Sequence, residues 1–139
     1  MKIEIPEKKK LVYEMIIPIR WGDMDAMGHL NNGVYFRYLE TVRIDWMYKI
    51  DCVPAPQGVG PIIVNAFCNF HQQIVYPGDV LIKMYTSDPA RTTFESWATM
   101  ERTDAPGVIC AAGGATTIWV DFQKQKAVEM PQWMRDIVS

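Results

Sequence analysis

From Val34 to Met47 the apolar residues Val34, Tyr35, Tyr38, Leu39, Val42, Trp46 and Met47 recur on one face of a 3.6-residue repeat, which predicts a helix. Asn31 or Asn32 can cap its start, because a short amide side chain satisfies free N–H groups of the first turn. Glu40 and Arg43, three apart, can pair on its surface. Around this helix the chain changes period. Leu11–Ile19 is β-rich, with Pro18 marking an edge or irregular strand. A Pro/Gly-rich connection, "DCVPAPQGVGP" at 51–61, follows the helix. Strands are then predicted over roughly 62–76, 79–88, 92–103 and 108–122; Phe94, Ser96, Ala98 and Met100 alternate with Glu95, Trp97 and Thr99. "YPGD" (76–79) and "TDAPG" (103–107) are reversals set by proline and glycine, and "MPQWMRDIV" predicts a short closing helix. One strand, one long helix and about four strands in hairpin succession make an α+β domain with an antiparallel sheet.

The chain's 139 residues fit one domain, 1–139, able to bury a core without staples. Fourteen basic against sixteen acidic residues give a net charge of -2, so no nucleic-acid partner is expected. Cys52, Cys68 and Cys110 are scattered and odd in number, which reads as reduced thiols in a cytoplasmic protein. The opening residues lack the apolar run of a signal peptide, and no stretch approaches the ~20 apolar residues of a membrane span. His29 and His71 share no carboxylate at ligand spacing, so no metal is expected.

Between the first strand and the helix lies "RWGDMDAMGHLNNG", which gathers Asp23, Asp25, His29, Asn31 and Asn32 around Gly28. Its plainer reading is a polar turn and a helix cap, with both aspartates bonding loop amides. Its sharper reading is a site where the helix dipole polarises a carbonyl while a carboxylate attacks it or activates water. His29 can bond the loop, contact a ligand or move a proton. Gly28 suits special backbone geometry. Tyr35 and Tyr38 fall on the apolar stripe, although Tyr35 can border a pocket. His71, alone on a predicted strand, reads as structural.

The spacing Asp23-x-Asp25-x-x-Gly28-His29-Leu30-Asn31-Asn32-x-x-Tyr35-x-x-Tyr38-x-Glu40-x-x-Arg43 resembles the opening motif of the 4-hydroxybenzoyl-CoA thioesterase family, the hotdog-fold acyl-CoA thioesterases. "YPGDVL" and "TTIWVDF" extend the likeness from about Leu11 to Arg135. The resemblance implies a hotdog fold: an antiparallel sheet of about five strands wrapped around one long central helix. It further implies a homodimer with sheets joined edge to edge and active sites at the subunit boundary; dimers of dimers are common among relatives. The activity implied is hydrolysis of an acyl-CoA thioester to an acid and free CoA, with CoA entering only as part of the substrate and no separate cofactor.

By the same resemblance, the backbone N–H of Asn32 polarises the thioester carbonyl and Asp25 acts as nucleophile or general base. His29 completes the catalytic set; Asp23, Gly28 and Tyr35 line the substrate. Relatives grip the CoA phosphates at the turn between the third and fourth strands. Here that turn, "SDPARTTF", offers only Arg91, with Lys83 and Arg102 as substitutes. A non-catalytic acyl-CoA-binding hotdog protein and a hotdog dehydratase or hydratase are the alternative functions. The dehydratases place their acid and histidine in a different motif.

Overall fold

The computed structural model describes residues 3–139. The elements run β1 (Lys10–Pro18), a 3-10 turn (Trp21–Asp23), α1 (Asn32–Lys49), β2 (Val59–Phe70), β3 (Asp79–Ser87), β4 (Thr93–Arg102), β5 (Ile109–Asp121), β6 (Lys126–Ala127) and α2 (Gln132–Val138). The sheet order is β1-β3-β4-β5-β2, every neighbour antiparallel, with β6 on the end of β5. This is the expected α+β architecture.

Period-two alternation decides which face of the sheet is dry. Val80, Ile82, Met84 and Thr86 of β3 and Phe94, Ser96, Ala98 and Met100 of β4 are buried, while Leu81, Lys83 and Tyr85 between them are only half-buried. Against that dry face lies α1, 18 residues long, presenting Tyr35, Tyr38, Leu39, Val42, Trp46 and Met47. Trp46 meets Phe94 edge to face at 6.2 Å. Gly113 on β5 lets the layers approach: a Cβ there would lie 2.5 Å from the Phe67 carbonyl oxygen and 2.9 Å from Leu39 Cδ1. Only a residue without a side chain fits.

Two element boundaries differ from expectation, and both move residues that concern the site. β2 begins at Val59, inside the Pro/Gly-rich connection, because Val59 and Gly60 pair with Asp121 and Val120. It also ends at Phe70 rather than running to 76. The β5 ladder stops opposite Phe70, and the next two amides, His71 and Gln72, both donate to the Cys110 carbonyl at 2.8 and 2.9 Å. Residues 71–78 therefore form a connection that folds over the start of α1. Ile74 is fully buried in it, and its carbonyl accepts from Leu30 N–H at 2.8 Å.

The sheet has two outer edges. Near one end of β1 lies α2, with Thr86 Oγ1 donating to the Val138 carbonyl at 3.0 Å and Lys10 Nζ to that of Ile137 at 2.8 Å. The β2 edge carries exposed Val59, Ile62, Ile63, Val64 and Phe70. Among the described residues nothing pairs with its outer side.

Candidate active site

The segment between β1 and α1 is closed by its own backbone. Asp25 N–H donates to the His29 carbonyl at 2.7 Å, and Gly28 N–H returns to the Asp25 carbonyl at 3.0 Å. Gly28 sits at φ +79, a left-handed conformation that glycine adopts without penalty. The loop is fixed from outside by Leu30 to Ile74 and by Asn31 N–H to the Asp23 carbonyl at 3.0 Å. Asn31, not Asn32, is the cap: its Oδ1 accepts from Gly33 N–H at 2.9 Å.

The Asp25 carboxylate has two unlike oxygens. Oδ1 accepts from Met27 N–H (2.9 Å) and His29 N–H (3.2 Å), so the loop-bonding reading of Asp25 holds for that oxygen. Oδ2 has no hydrogen-bond partner among the described residues. Two donors to one oxygen orient the group and leave the other oxygen available. Asn32 N–H likewise has no acceptor among the described residues, since the cap serves Gly33 and the next bond belongs to Val34. It is a first-turn amide at the positive end of an 18-residue helix.

Both residues line one cleft of about 280 Å³, whose walls include Asp25, His29, Asn32, Tyr35, Phe70 and His71. Gln72 and Gln73 complete its rim. Asp25 also borders a second groove of about 450 Å³ between Trp21 and Tyr76, with Gly28 in its floor. Asp25 therefore lines both openings. Tyr35 is 2% exposed, packs edge to face on Phe70 at 4.8 Å, and is mostly core. Burial pushes its phenol above the usual range, with the nearby Asp25 charge adding a smaller push.

Asp23 is used differently. Its Oδ2 accepts from Tyr38 Oη at 2.9 Å, tying loop to helix, and it borders neither opening. Burial first and this bond second raise the Tyr38 phenol to about 12. Arg91 is not brought to the cleft of its own subunit. It sits in the β3–β4 turn, its carbonyl accepting from Met130 N–H at 2.8 Å. The nine residues of β3, about 30 Å at ~3.3 Å each, separate that turn from the Asp25 end. The substitutes are occupied. Arg102 bonds Asp104 and the carbonyls of Val75 and Pro77 at 2.6–3.0 Å, and Lys83 lies 3.7 Å from Glu101.

Sequence reasoning missed His71, which joins the cleft because β2 stops at Phe70. Three successive polar residues, His71-Gln72-Gln73, between Phe70 and Ile74 were the signal that could have found that stop. Burial raises Cys68 to about 11 and also pushes Cys52 up, so neither offers a thiolate near neutrality. Among the described residues no group of three or more His, Cys, Asp or Glu is placed to hold a metal ion. No helix among them is long and apolar enough to cross a membrane.

The fold and sequence have known counterparts. The PA2801 protein from Pseudomonas aeruginosa superposes with a TM-score of 0.86 at 26% identity, covering 91% of this chain and 98% of that one. The DHNA-CoA thioesterase from Staphylococcus aureus shares the fold at a TM-score of 0.76 and 21% identity, covering 88% and 83%. YsmA of Bacillus subtilis (strain 168), an uncharacterized protein, is 23% identical over 112 residues, which span 81% of this chain and 75% of YsmA. Residues 19–138 match the Thioesterase-like superfamily, and the chain belongs to that family.

Proposed function

We propose that the protein hydrolyses an acyl-CoA thioester to a carboxylic acid and free CoA, using Asp25 and the amide of Asn32. One observation carries this reading. Asp25, with one carboxylate oxygen unpartnered, and Asn32, with its first-turn amide unpartnered among the described residues, line the same cleft. Attack on a thioester builds negative charge on the carbonyl oxygen, and an amide already aimed at that position stabilises it without reorganising. On the other face of the carbonyl, Asp25 Oδ2 either attacks the carbon, expelling CoA thiolate and leaving a mixed anhydride for water, or takes a proton from attacking water. His29 and Gly28 lie at the cleft and groove, where they support proton movement and close approach of substrate. Asp23 acts on substrate only through the loop it holds.

The match to the Thioesterase-like superfamily supports a thioester hydrolase. Within that superfamily, the resemblance of the motif from Asp23 to Arg43 to that of the 4-hydroxybenzoyl-CoA thioesterases supports the reading that the chain acts as they do. A purely binding protein would have no use for an unpartnered carboxylate oxygen and a free helix amide on residues lining one cleft. The reduced thiols fit a cytoplasmic enzyme.

The proposal includes a homodimer joined at β2. Its outer edge bears five exposed large apolar residues, a surface that soluble chains cover by pairing. Antiparallel pairing of β2 with its own copy exchanges the two ends of the sheet. It thereby carries the partner's Arg91 toward the Asp25 end, where it can meet a CoA phosphate. The test is release of free thiol, followed with a thiol-reactive dye over acetyl-, octanoyl- and benzoyl-CoA. Thiol released in step with thioester loss supports hydrolysis; loss without thiol, or no loss, refutes it.

A further inference from the structure

The polar wall of the cleft, His71 to Gln73, belongs to no strand. It lies on the connection 71–78, which leaves the β5 ladder after Phe70 and rejoins the sheet at Asp79. At its entry two amides share the Cys110 carbonyl. Toward its exit, the one side chain among the described residues that bonds its backbone is Arg102, the last residue of β4. Nη1 donates to the Val75 carbonyl at 2.6 Å and Nη2 to the Pro77 carbonyl at 2.7 Å, the two residues that flank Tyr76. Asp104 orients the guanidinium, accepting from Nε at 2.9 Å and from Nη2 at 3.0 Å. A planar fork held by both carboxylate oxygens is fixed in a way that a lysine ammonium is not. Gly78 makes room for it: a Cβ there would collide with Nη2 and lie 2.9 Å from Cζ.

The gripped stretch is also where the two connections that carry the site are joined. Ile74, next to Val75, is fully buried, and its carbonyl accepts from Leu30 N–H at 2.8 Å. Gly78, next to Pro77, offers its carbonyl to Ile19 N–H at 2.8 Å. Leu30 directly follows His29, whose N–H and carbonyl hold Asp25, and stands two residues before Asn32. Ile19 is where the chain leaves β1 for the Asp25 loop. Arg102 therefore holds the stretch between two anchors of that loop, yet lines neither opening. Four bonds from its five N–H groups leave little for a substrate phosphate.

We infer that Arg102 is a positioning residue of this site: by clamping residues 75–78 it fixes the Leu30 anchor, and with it the Asp25 loop and the start of α1. The inference rests on the thioesterase reading above. It gives Arg102 no contact with substrate, unlike the phosphate-binding role open to it from the sequence. The effect falls on rate, because misplacing reacting groups by an ångström weakens the transition state more than it weakens binding of the ground state.

The test reads kcat and KM separately on two substrates with one acyl group. They are the acyl-CoA turned over fastest and the matching N-acetylcysteamine thioester, which has no phosphate. Arg102→Ala removes the fork, and kcat should fall at least ~10-fold on both, well below the melting temperature, with KM for the acyl-CoA little changed. Arg102→Lys keeps the charge without the fork and should lose nearly as much. Gly78→Ala leaves Arg102 in the chain, displaces its guanidinium, and should give the same pattern. Amide exchange at Leu30 should quicken in these variants, since its acceptor lies beside the released stretch. Three results overturn the inference while leaving thioester hydrolysis intact. The first is a kcat within threefold of wild type in both Arg102→Lys and Gly78→Ala, which decides the matter even where Arg102→Ala does not fold. The second is a loss confined to KM for the acyl-CoA and absent on the N-acetylcysteamine thioester, which makes Arg102 a phosphate contact. The third is a lower kcat with unchanged Leu30 exchange. Wild-type protein that hydrolyses neither substrate refutes the thioesterase reading itself, and the inference with it.

Discussion

Asparagine and alanine at position 25 separate the two duties of its side chain. Oδ1 accepts from Met27 and His29 N–H groups, whereas Oδ2 is the oxygen assigned to chemistry. Asp25→Asn keeps an Oδ1 able to accept both bonds but replaces Oδ2 with an NH2 group that neither attacks carbon nor accepts a proton. The loop should stay closed, so the melting temperature should move by no more than a degree or two. Turnover should fall at least ~100-fold, the usual contribution of a general base. Asp25→Ala removes the acceptor as well. Two exposed bonds at ~0.5–1.5 kcal/mol each put the loss at about 1–3 kcal/mol. For a chain of this size that lowers the melting temperature by several degrees. Calorimetry and thiol release on the two variants check both arms. An asparagine variant that turns over within threefold of wild type removes Asp25 from the chemistry. One that melts as low as the alanine variant shows that the carboxylate's charge, not its acceptor geometry, holds the loop.

Other expectations concern the supports of the site. Asp23→Asn should reduce kcat less than Asp25→Asn, because Asp23 holds Tyr38 and borders neither opening; an equal loss in steady-state assays would make the acids a working pair. The Tyr38 phenol is raised from 10.0 to about 12 in the folded protein, so its contribution to stability is whole below pH 10 and lost as pH climbs toward 12. Thermal melts should show that decline, and Tyr38→Phe should flatten it while lowering the melting temperature at neutral pH. Gly113→Ala forces a Cβ against Phe67 and Leu39 and should cost about 1–3 kcal/mol in denaturant titrations; an unchanged midpoint would mean that helix and sheet can separate freely there.

Local periodicity carried most of the architecture. The α1 stripe from Val34 to Met47 and the alternation around Phe94 to Met100 each state which face is buried, and burial makes the element. What stayed hidden was where pairing stops. Ile74, Val75 and Tyr76 have strand-forming side chains, yet the ladder ends at Phe70 because two successive amides share the Cys110 carbonyl. A ladder's end depends on its partner strand, and no window along β2 contains β5. His71 entered the cleft by that route. The Asp25 knot was half legible: the polar cluster and Gly28 are local, but the division of labour between the two oxygens depends on distances of a few tenths of an ångström. Arg91 shows the opposite case, since its turn was placed correctly in the chain while β3, about 30 Å long, sets that turn at the end of the sheet away from Asp25.

The account stands on a carbonyl held between the Asn32 amide and Asp25 Oδ2. Its most direct measurement is a crystal structure of the Asp25→Asn protein with a non-hydrolysable ketone analogue of octanoyl-CoA. The carbonyl oxygen should lie about 2.7–3.1 Å from Asn32 N, with its carbon facing the position-25 side chain. A ligand carbonyl seated elsewhere, or Asn32 N–H bonded to another group while the analogue is bound, would contradict the claim.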